Sequence, residues 1–171
     1  MGRGDYNERM LALRYAALVA AALWIGGLIA LGAVAAPAIF DTIAARGVAD
    51  GRVLAGAVFG EAFRRFHLVA YGCGAVIVIS LIVRAALGPR PVHLGVRLAI
   101  AAIMLVASLY SGMVISPRIE QLRIDAGGAP SSLPEGDPRR AAFGRLHAFS
   151  TLVQLVPLAG GLVLLFRELT D

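Results

Sequence analysis

Apolar residues gather into four long runs, Tyr15–Phe40, Phe66–Val83, Leu98–Pro117 and Leu146–Phe166, and none of the four holds an Asp, Glu or Arg. The runs are 26, 18, 20 and 21 residues long. About 20 apolar residues in helical form cross a hydrocarbon core of about 30 Å. The pattern predicts an all-α integral membrane protein, a four-helix bundle in one domain over residues 1–171, with spans at about 12–40, 66–87, 95–117 and 145–167. The first run is too long for the apolar core of a cleavable signal peptide.

The connections differ in character. Asp41–Arg65 mixes Ala, Val and Leu with widely spaced charges, which predicts an amphipathic helix lying at the interface or running into the second span. Gly88-Pro89-Arg90-Pro91 predicts a turn between spans two and three. Arg118–Arg145 contains Gly127-Gly128-Ala129-Pro130-Ser131-Ser132-Leu133-Pro134, the composition of a flexible loop.

A repeat runs through this organisation. Ala62-Phe63-Arg64-Arg65-Phe66-His67 and Ala142-Phe143-Gly144-Arg145-Leu146-His147 share the pattern A-F-x-R-x-H at a displacement of 80 residues, and each introduces an even-numbered span. Spans one and three each follow an Arg, Arg14 or Arg97, and each ends at a Pro, Pro37 or Pro117. The bundle therefore reads as two similar helical hairpins related by a two-fold axis along the membrane normal.

The polar residues inside the spans carry the candidate chemistry. His147, Ser150, Thr151 and Gln154 fall at i, i+3, i+4 and i+7, a single helical face, and polar groups are expensive against lipid. His67, Tyr71 and Gly74 continue the pattern on span two, and Ser108, Ser111 and Gly112 offer polar or small positions on span three. The repeat puts His67 and His147 at one depth. The outer half of the bundle is thus expected to carry a lining of His67, Tyr71, Ser111, His147, Ser150, Thr151 and Gln154, and the inner half almost no polar side chains. Two readings stand beside each other. The side chains form interhelical hydrogen bonds that hold the bundle, or they line a pocket for a small ligand, a metal or a haem held by paired His. Trp24, Gly26 and Gly27 on span one read as packing residues, with Ser108 as a candidate partner for the Trp24 indole N–H.

Composition and charge agree with the hydropathy. The 171 residues are 58% hydrophobic, and the mean hydropathy is +0.78. The net charge is +5, and Arg is the sole basic type apart from His. These arginines, Arg64, Arg65 and Arg145 among them, sit at the ends of apolar runs, where headgroup phosphates lie. That excludes nucleic acid as the partner and points to the lipid bilayer. Cys73 is the sole cysteine, so no intrachain disulfide forms, and between Gly72 and Gly74 it reads as a small packing residue. Placing both termini in the cytoplasm leaves Arg3, Arg9, Arg14, Arg84, Arg90, Arg97 and Arg167 inside, in short segments with few acids. The nine other arginines then fall in longer segments rich in Asp and Glu. Short loops weigh more in orientation, so this arrangement is the expected one, in a bacterial inner membrane.

The segments Leu23-Trp24-Ile25-Gly26-Gly27, Ala36-Pro37-Ala38-Ile39-Phe40, Phe63-Arg64-Arg65-Phe66-His67 and Phe143-Gly144-Arg145-Leu146-His147-Ala148-Phe149-Ser150 resemble a pattern of small bacterial four-span proteins similar to transmembrane protein 205, a domain-of-unknown-function family. The resemblance covers nearly the whole chain and implies the fold, without a reaction. Ala148 stands where that pattern has Gly, and Gln154 is the nearest polar equivalent of its Asn. The W-x-G-G element is also similar to one in copper-resistance D-type membrane proteins and in haem-binding membrane protoporphyrinogen oxidases.

Three functions follow as expectations. The first is a membrane protein, not an enzyme, with a polar pocket for a small ligand or metal. The second is a haem- or copper-binding redox protein using His67 and His147. The third is a structural or assembly subunit, with a membrane-protein partner or a second copy against its apolar surface. Spans without Asp, Glu or Arg argue against an ion-coupled pump.

Overall fold

The computed structural model describes residues 3–88 and 90–170, with the side chains of residues 3–5 outside that description. Arg3 of the orientation argument and Pro89 of the expected turn fall partly or wholly outside it. The described residues form helices and turns without a strand. Helix α1 is Arg3–Ile29, α2 Ala36–Ala45, α3 Gly51–Leu87, α4 Leu94–Tyr110, α5 Ser116–Asp125 and α6 Pro138–Thr170. The stretches Tyr6–Ala45, Gly51–Leu87, Leu94–Asp125 and Pro138–Thr170 are each long and apolar enough to cross a membrane. The chain is thus a multi-pass integral membrane protein with a four-helix bundle.

The helices stand at the corners of a square. α1 packs on α3 and α6, and α4 packs on the same two. α1 therefore lies diagonally from α4, and α3 from α6. The core between them is built from Ala20, Ala21, Trp24, Ala70, Cys73, Ile77, Leu81, Ala101, Met104 and Leu164. Its small residues let the backbones approach closely, the usual basis of helix association where water provides no drive. Gly74 is the clearest case: a β-carbon there would stand 2.9 Å from Leu105 and 3.2 Å from the Trp24 ring. Cys73 is buried in this core. The outward faces carry large apolar side chains such as Leu11, Leu23, Leu68, Ile79, Ile103, Val106 and Leu152, as lipid contact requires.

Two turns of π-helix interrupt the odd-numbered spans, Ala30–Ala35 between α1 and α2 and Ser111–Ile115 between α4 and α5. In the first the Ala36 N–H donates to Leu31 O, and in the second the Ser116 N–H donates to Ser111 O. Each of these wide i→i−5 bonds lies just ahead of a proline, Pro37 or Pro117. A proline inside a helix cannot donate to the fourth residue back and presses against its carbonyl, and a widened turn relieves both. α2 and α5 then end alike. The Arg46 and Ala126 N–H groups donate to Thr42 O and Leu122 O, and Gly47 and Gly127 follow at φ +60° and +65°, left-handed positions suited to glycine. Every one of these paired positions, from Leu31 and Ser111 to Gly47 and Gly127, is 80 residues apart.

The first connection resolves between its two expected forms. After the turn at 46–50 the chain re-enters helix at Gly51 and runs unbroken to Leu87, so Gly51–Arg65 belongs to the second long helix. The loop over 126–137 includes a short 3-10 turn, Pro130–Ser132. Arg139 and Arg140 anchor that loop to α6 by donating to Asp125 O and Leu133 O.

Candidate functional site

The polar residues named from the sequence split into a buried set and an exposed set. His67 lies inside the bundle, 4% exposed. Its ring meets the Phe63 ring edge-on at a centroid separation of 4.5 Å and lies 6.0 Å from that of Tyr71. These three belong to an i, i+4 aromatic column on α3 that begins at Phe59, which Phe40 of α2 touches in turn. Gly112, in the π turn of the facing span, is the residue that makes room. A β-carbon there would stand 2.9 Å from His67 Cδ2 and would also meet the Tyr71 hydroxyl.

His67 has a defined tautomer. Its Nδ1 stands 2.9 Å from Phe63 O, and a carbonyl only accepts, so Nδ1 carries the proton. Nε2 then presents a lone pair, and it is buried with no hydrogen-bond partner among the described residues. Nearby, the Tyr71 hydroxyl donates a long 3.4 Å bond to Ser108 O, and Gln154 Nε2 donates to Ser111 Oγ at 2.7 Å. Ser111 and Ser150 are buried, Tyr71 and Gln154 half-buried. The Gln154–Ser111 bond joins α6 to α4 across one side of the square.

His147 does not join them. It is exposed, with its ring stacked on Phe143 at 5.9 Å, and Thr151 beside it is exposed and returns its hydroxyl to His147 O at 3.1 Å. The expectation of two inward imidazoles is corrected here, and helix geometry supplies the reason. The buried line on α6 runs through Ser150, Pro157, Gly161, Leu164 and Glu168. At about 100° per residue His147 stands about 60° to one side of that line and Thr151 about 100°. The two histidines also belong to diagonally opposed helices. Among the described residues no three His, Cys, Asp or Glu side chains come together as a metal group would require. The donor set does not fit a haem or copper held between His67 and His147.

The span-one residues divide similarly. Trp24 is buried against Gly74, and a β-carbon on Gly27 would meet the Phe66 ring, so both lie at close contacts between α1 and α3. Gly26 is exposed with nothing within 4 Å of a β-carbon, because one residue further round the helix faces outward. The Trp24 indole N–H finds no partner among the described residues, so the expected bond to Ser108 is not made. Arg64, Arg65 and Arg145 are exposed, and Glu61 receives bonds from Arg64 Nε and Arg65 Nε, both at 2.7 Å.

The opposite end of the bundle holds what sequence reasoning missed. Glu168 of α6 is buried, and an Arg from each of the other three spans reaches it. Arg97 Nη1 donates to Oε1 at 2.6 Å, and Arg84 Nη1 donates to Oε1 at 3.1 Å and Oε2 at 2.9 Å. Arg97 Nη2 donates to Arg167 O at 2.9 Å, and Arg14 donates to Glu168 O. Close by, Ser80 Oγ donates to Leu13 O at 2.6 Å. This ionic node stands 17 residues along α3 from His67, about 25 Å in a helix. Continuing the Ser150–Gln154 stripe by sevens reaches 161 and then 168, which was the available signal. This end of the bundle, expected to carry almost no polar side chains, is therefore far from apolar.

Hollows in the surface lie away from His67. One is an apolar crevice lined by Ala17, Leu18, Ala21, Ile77, Leu81 and Leu164, with Glu168 at its border. Another lies between α2 and the start of α3, against Phe40, Ala44, Val48, Gly51, Arg52 and Ala55.

Residues 19–127 match the profile of DUF4149, a domain of unknown function, and the chain belongs to that family. The match covers most of the first span and all of the second and third, including Trp24, His67, Tyr71 and Ser111. Neither the curated proteins nor the solved structures contain a match to the chain.

Proposed function

We propose that the protein is a non-enzymatic membrane-embedded binding protein whose site is centred on the lone pair of His67 Nε2. The observation that carries this is the fixed tautomer: Nδ1–H is held by Phe63 O, while Nε2 is buried without a partner. A histidine that donates its other ring N–H to a backbone carbonyl is oriented as a ligand to a donor group or to a soft metal ion. Tyr71, Ser111, Ser150 and Gln154 supply the polar surroundings. His147 and Thr151 stand outside this site.

The test is spectroscopic. Full-length protein in detergent, labelled with 15N at His, is titrated with Cu(I), Zn(II) and haemin. Movement of the His67 signal alone, lost in His67→Ala and kept in His147→Ala, supports the site. A His67 signal indifferent to all three probes rejects a metal or haem role. The tight seat of Gly112 against the imidazole favours a second reading in that event, in which the layer is interhelical glue in a structural or assembly subunit.

The same proposal includes the setting. The shared displacement of 80 residues through the π turns, their prolines and the helix caps supports an origin in two similar hairpins, as does A-F-x-R-x-H. We propose that the chain is akin to the small bacterial four-span proteins similar to transmembrane protein 205, and we place it in a bacterial inner membrane with both termini cytoplasmic. The arginine-rich end carrying Arg14, Arg84 and Arg97 supports that orientation. Reporter fusions after Arg167 and at Gly128 should give opposite signals, the first of them cytoplasmic; the reverse assignment rejects it.

A further inference from the structure

We propose that the ionic node is a binding site for a phosphate group, supplied by an anionic phospholipid headgroup. Its parts lie at the polar limits of the apolar runs. Arg14 immediately precedes Tyr15–Phe40, Arg84 immediately follows Phe66–Val83, and Arg97 immediately precedes Leu98–Pro117. Lipid phosphates occupy that depth.

The hydrogen-bond ledger leaves donors for such a group. Both Glu168 carboxylate oxygens are taken, Oε1 by Arg97 and Arg84 and Oε2 by Arg84. Among the described residues Arg14 has no carboxylate at hydrogen-bonding distance: it donates to the Glu168 carbonyl, and its Nε stands 3.8 Å from Oε2. Arg84 uses Nη1 alone, so its Nε and Nη2 have no acceptor among the described residues. Guanidinium groups match tetrahedral oxyanions through paired N–H donors.

Access and preorganisation agree. The Arg14 side chain is 33% exposed and that of Arg84 13%, so an incoming group reaches them from the surface without the node opening. Glu168 holds Arg84 in place, which removes part of the ordering cost of capture. The exposed apolar side chains of Leu11 and Tyr15 flank Arg14 along α1, and those of Ile82 and Leu87 flank Arg84 along α3; they offer acyl contact, which selects a lipid phosphate over a free one.

The experiment follows thermal stability of the full-length protein in a non-ionic detergent. The probes are short-chain phosphatidylglycerol, short-chain phosphatidylcholine and inorganic phosphate. Phosphatidylglycerol should stabilise saturably, with phosphatidylcholine and inorganic phosphate at least about tenfold weaker. Arg14→Gln and Arg84→Gln should each weaken phosphatidylglycerol about tenfold, the loss expected for one charge-assisted bond. Arg46→Gln, an exposed arginine at the end of α2, should bind as the parent does. If Arg84→Gln fails to fold, Arg14→Gln decides, because its bond is to a main-chain carbonyl at a partly exposed position. Equal response to both lipids, or parental affinity in Arg14→Gln, overturns the site. Inorganic phosphate binding as tightly as the lipid keeps the phosphate site and overturns the lipid as its source.

Discussion

Arg97 Nη1 lies 2.6 Å from Glu168 Oε1, and both side chains are nearly closed off from the surface. Arg84 and Arg14 join them, so that among the described residues each of the four membrane-spanning helices brings a charged residue to the junction. A buried carboxylate of this kind is far more costly to remove from its partners than to omit together with them. Glu168→Ala should lower unfolding free energy by about 3 kcal/mol. Denaturant unfolding in detergent micelles checks the value; a loss below about 1 kcal/mol would show that the helices are held at that end by apolar packing alone.

Gly112 and Gly26 give opposite expectations for one substitution. Gly112→Ala drives a methyl into the His67 ring and the Tyr71 hydroxyl, and such overpacking costs about 1–3 kcal/mol. Gly26→Ala meets nothing within 4 Å and should be neutral, or stabilising by up to about 1 kcal/mol through helix propensity. Paired melting curves decide, and equal effects would contradict the close approach of the π turn to α3.

The Gln154–Ser111 bond should show a small coupling. A double-mutant cycle with Gln154→Ala and Ser111→Ala should return about 0.6 kcal/mol, the usual size of an interhelical hydrogen bond within a bilayer. A coupling of zero would mean that the two side chains find other partners.

Asp137 gives a pH dependence. Its carboxylate accepts from Arg139 Nη2 at 2.7 Å and from the Arg139 main-chain N–H at 2.8 Å, and the Arg139 side chain holds its pKa below the ordinary carboxylate range. A lowered folded-state pKa means stabilisation present above that range and lost as pH falls through the folded value. The stability gap between the parent and Asp137→Asn should therefore narrow on acidification and vanish in strong acid. A gap that widens in acid would contradict the pairing.

The four apolar runs made the helices legible, because the length of an uncharged run is the property a bilayer selects. Gln154 and Ser111 were legible for a related reason, since each lies on a face that lipid disfavours. His147 was misplaced because a stripe drawn through i, i+3, i+4 and i+7 spans about 100° of arc, and the buried line falls at its Ser150 edge, leaving His147 and then Thr151 progressively further out. The Glu168 junction escaped because its residues lie just past the run ends. There a charge ordinarily meets water, and only the tertiary arrangement brings Arg14, Arg84 and Arg97 to one carboxylate. Gly26 and Gly27 are indistinguishable by type, and a single step of helical rotation separates contact from emptiness.

The π turn at Ser111–Ile115 contains one residue more than an α-helix needs to cover the same rise. That extra residue is room for Pro117, whose ring and missing N–H a regular α turn does not accommodate. Deleting Val114 would let the segment close to an α turn, with α4 and α5 keeping nearly their present phase, because the wide turn absorbs its additional residue. The strain would fall on Pro117, whose ring would then press on the carbonyl four residues back. Chain length and the proline are therefore matched at this place, although the segment belongs to a hydrophobic helix where composition alone would permit either to vary.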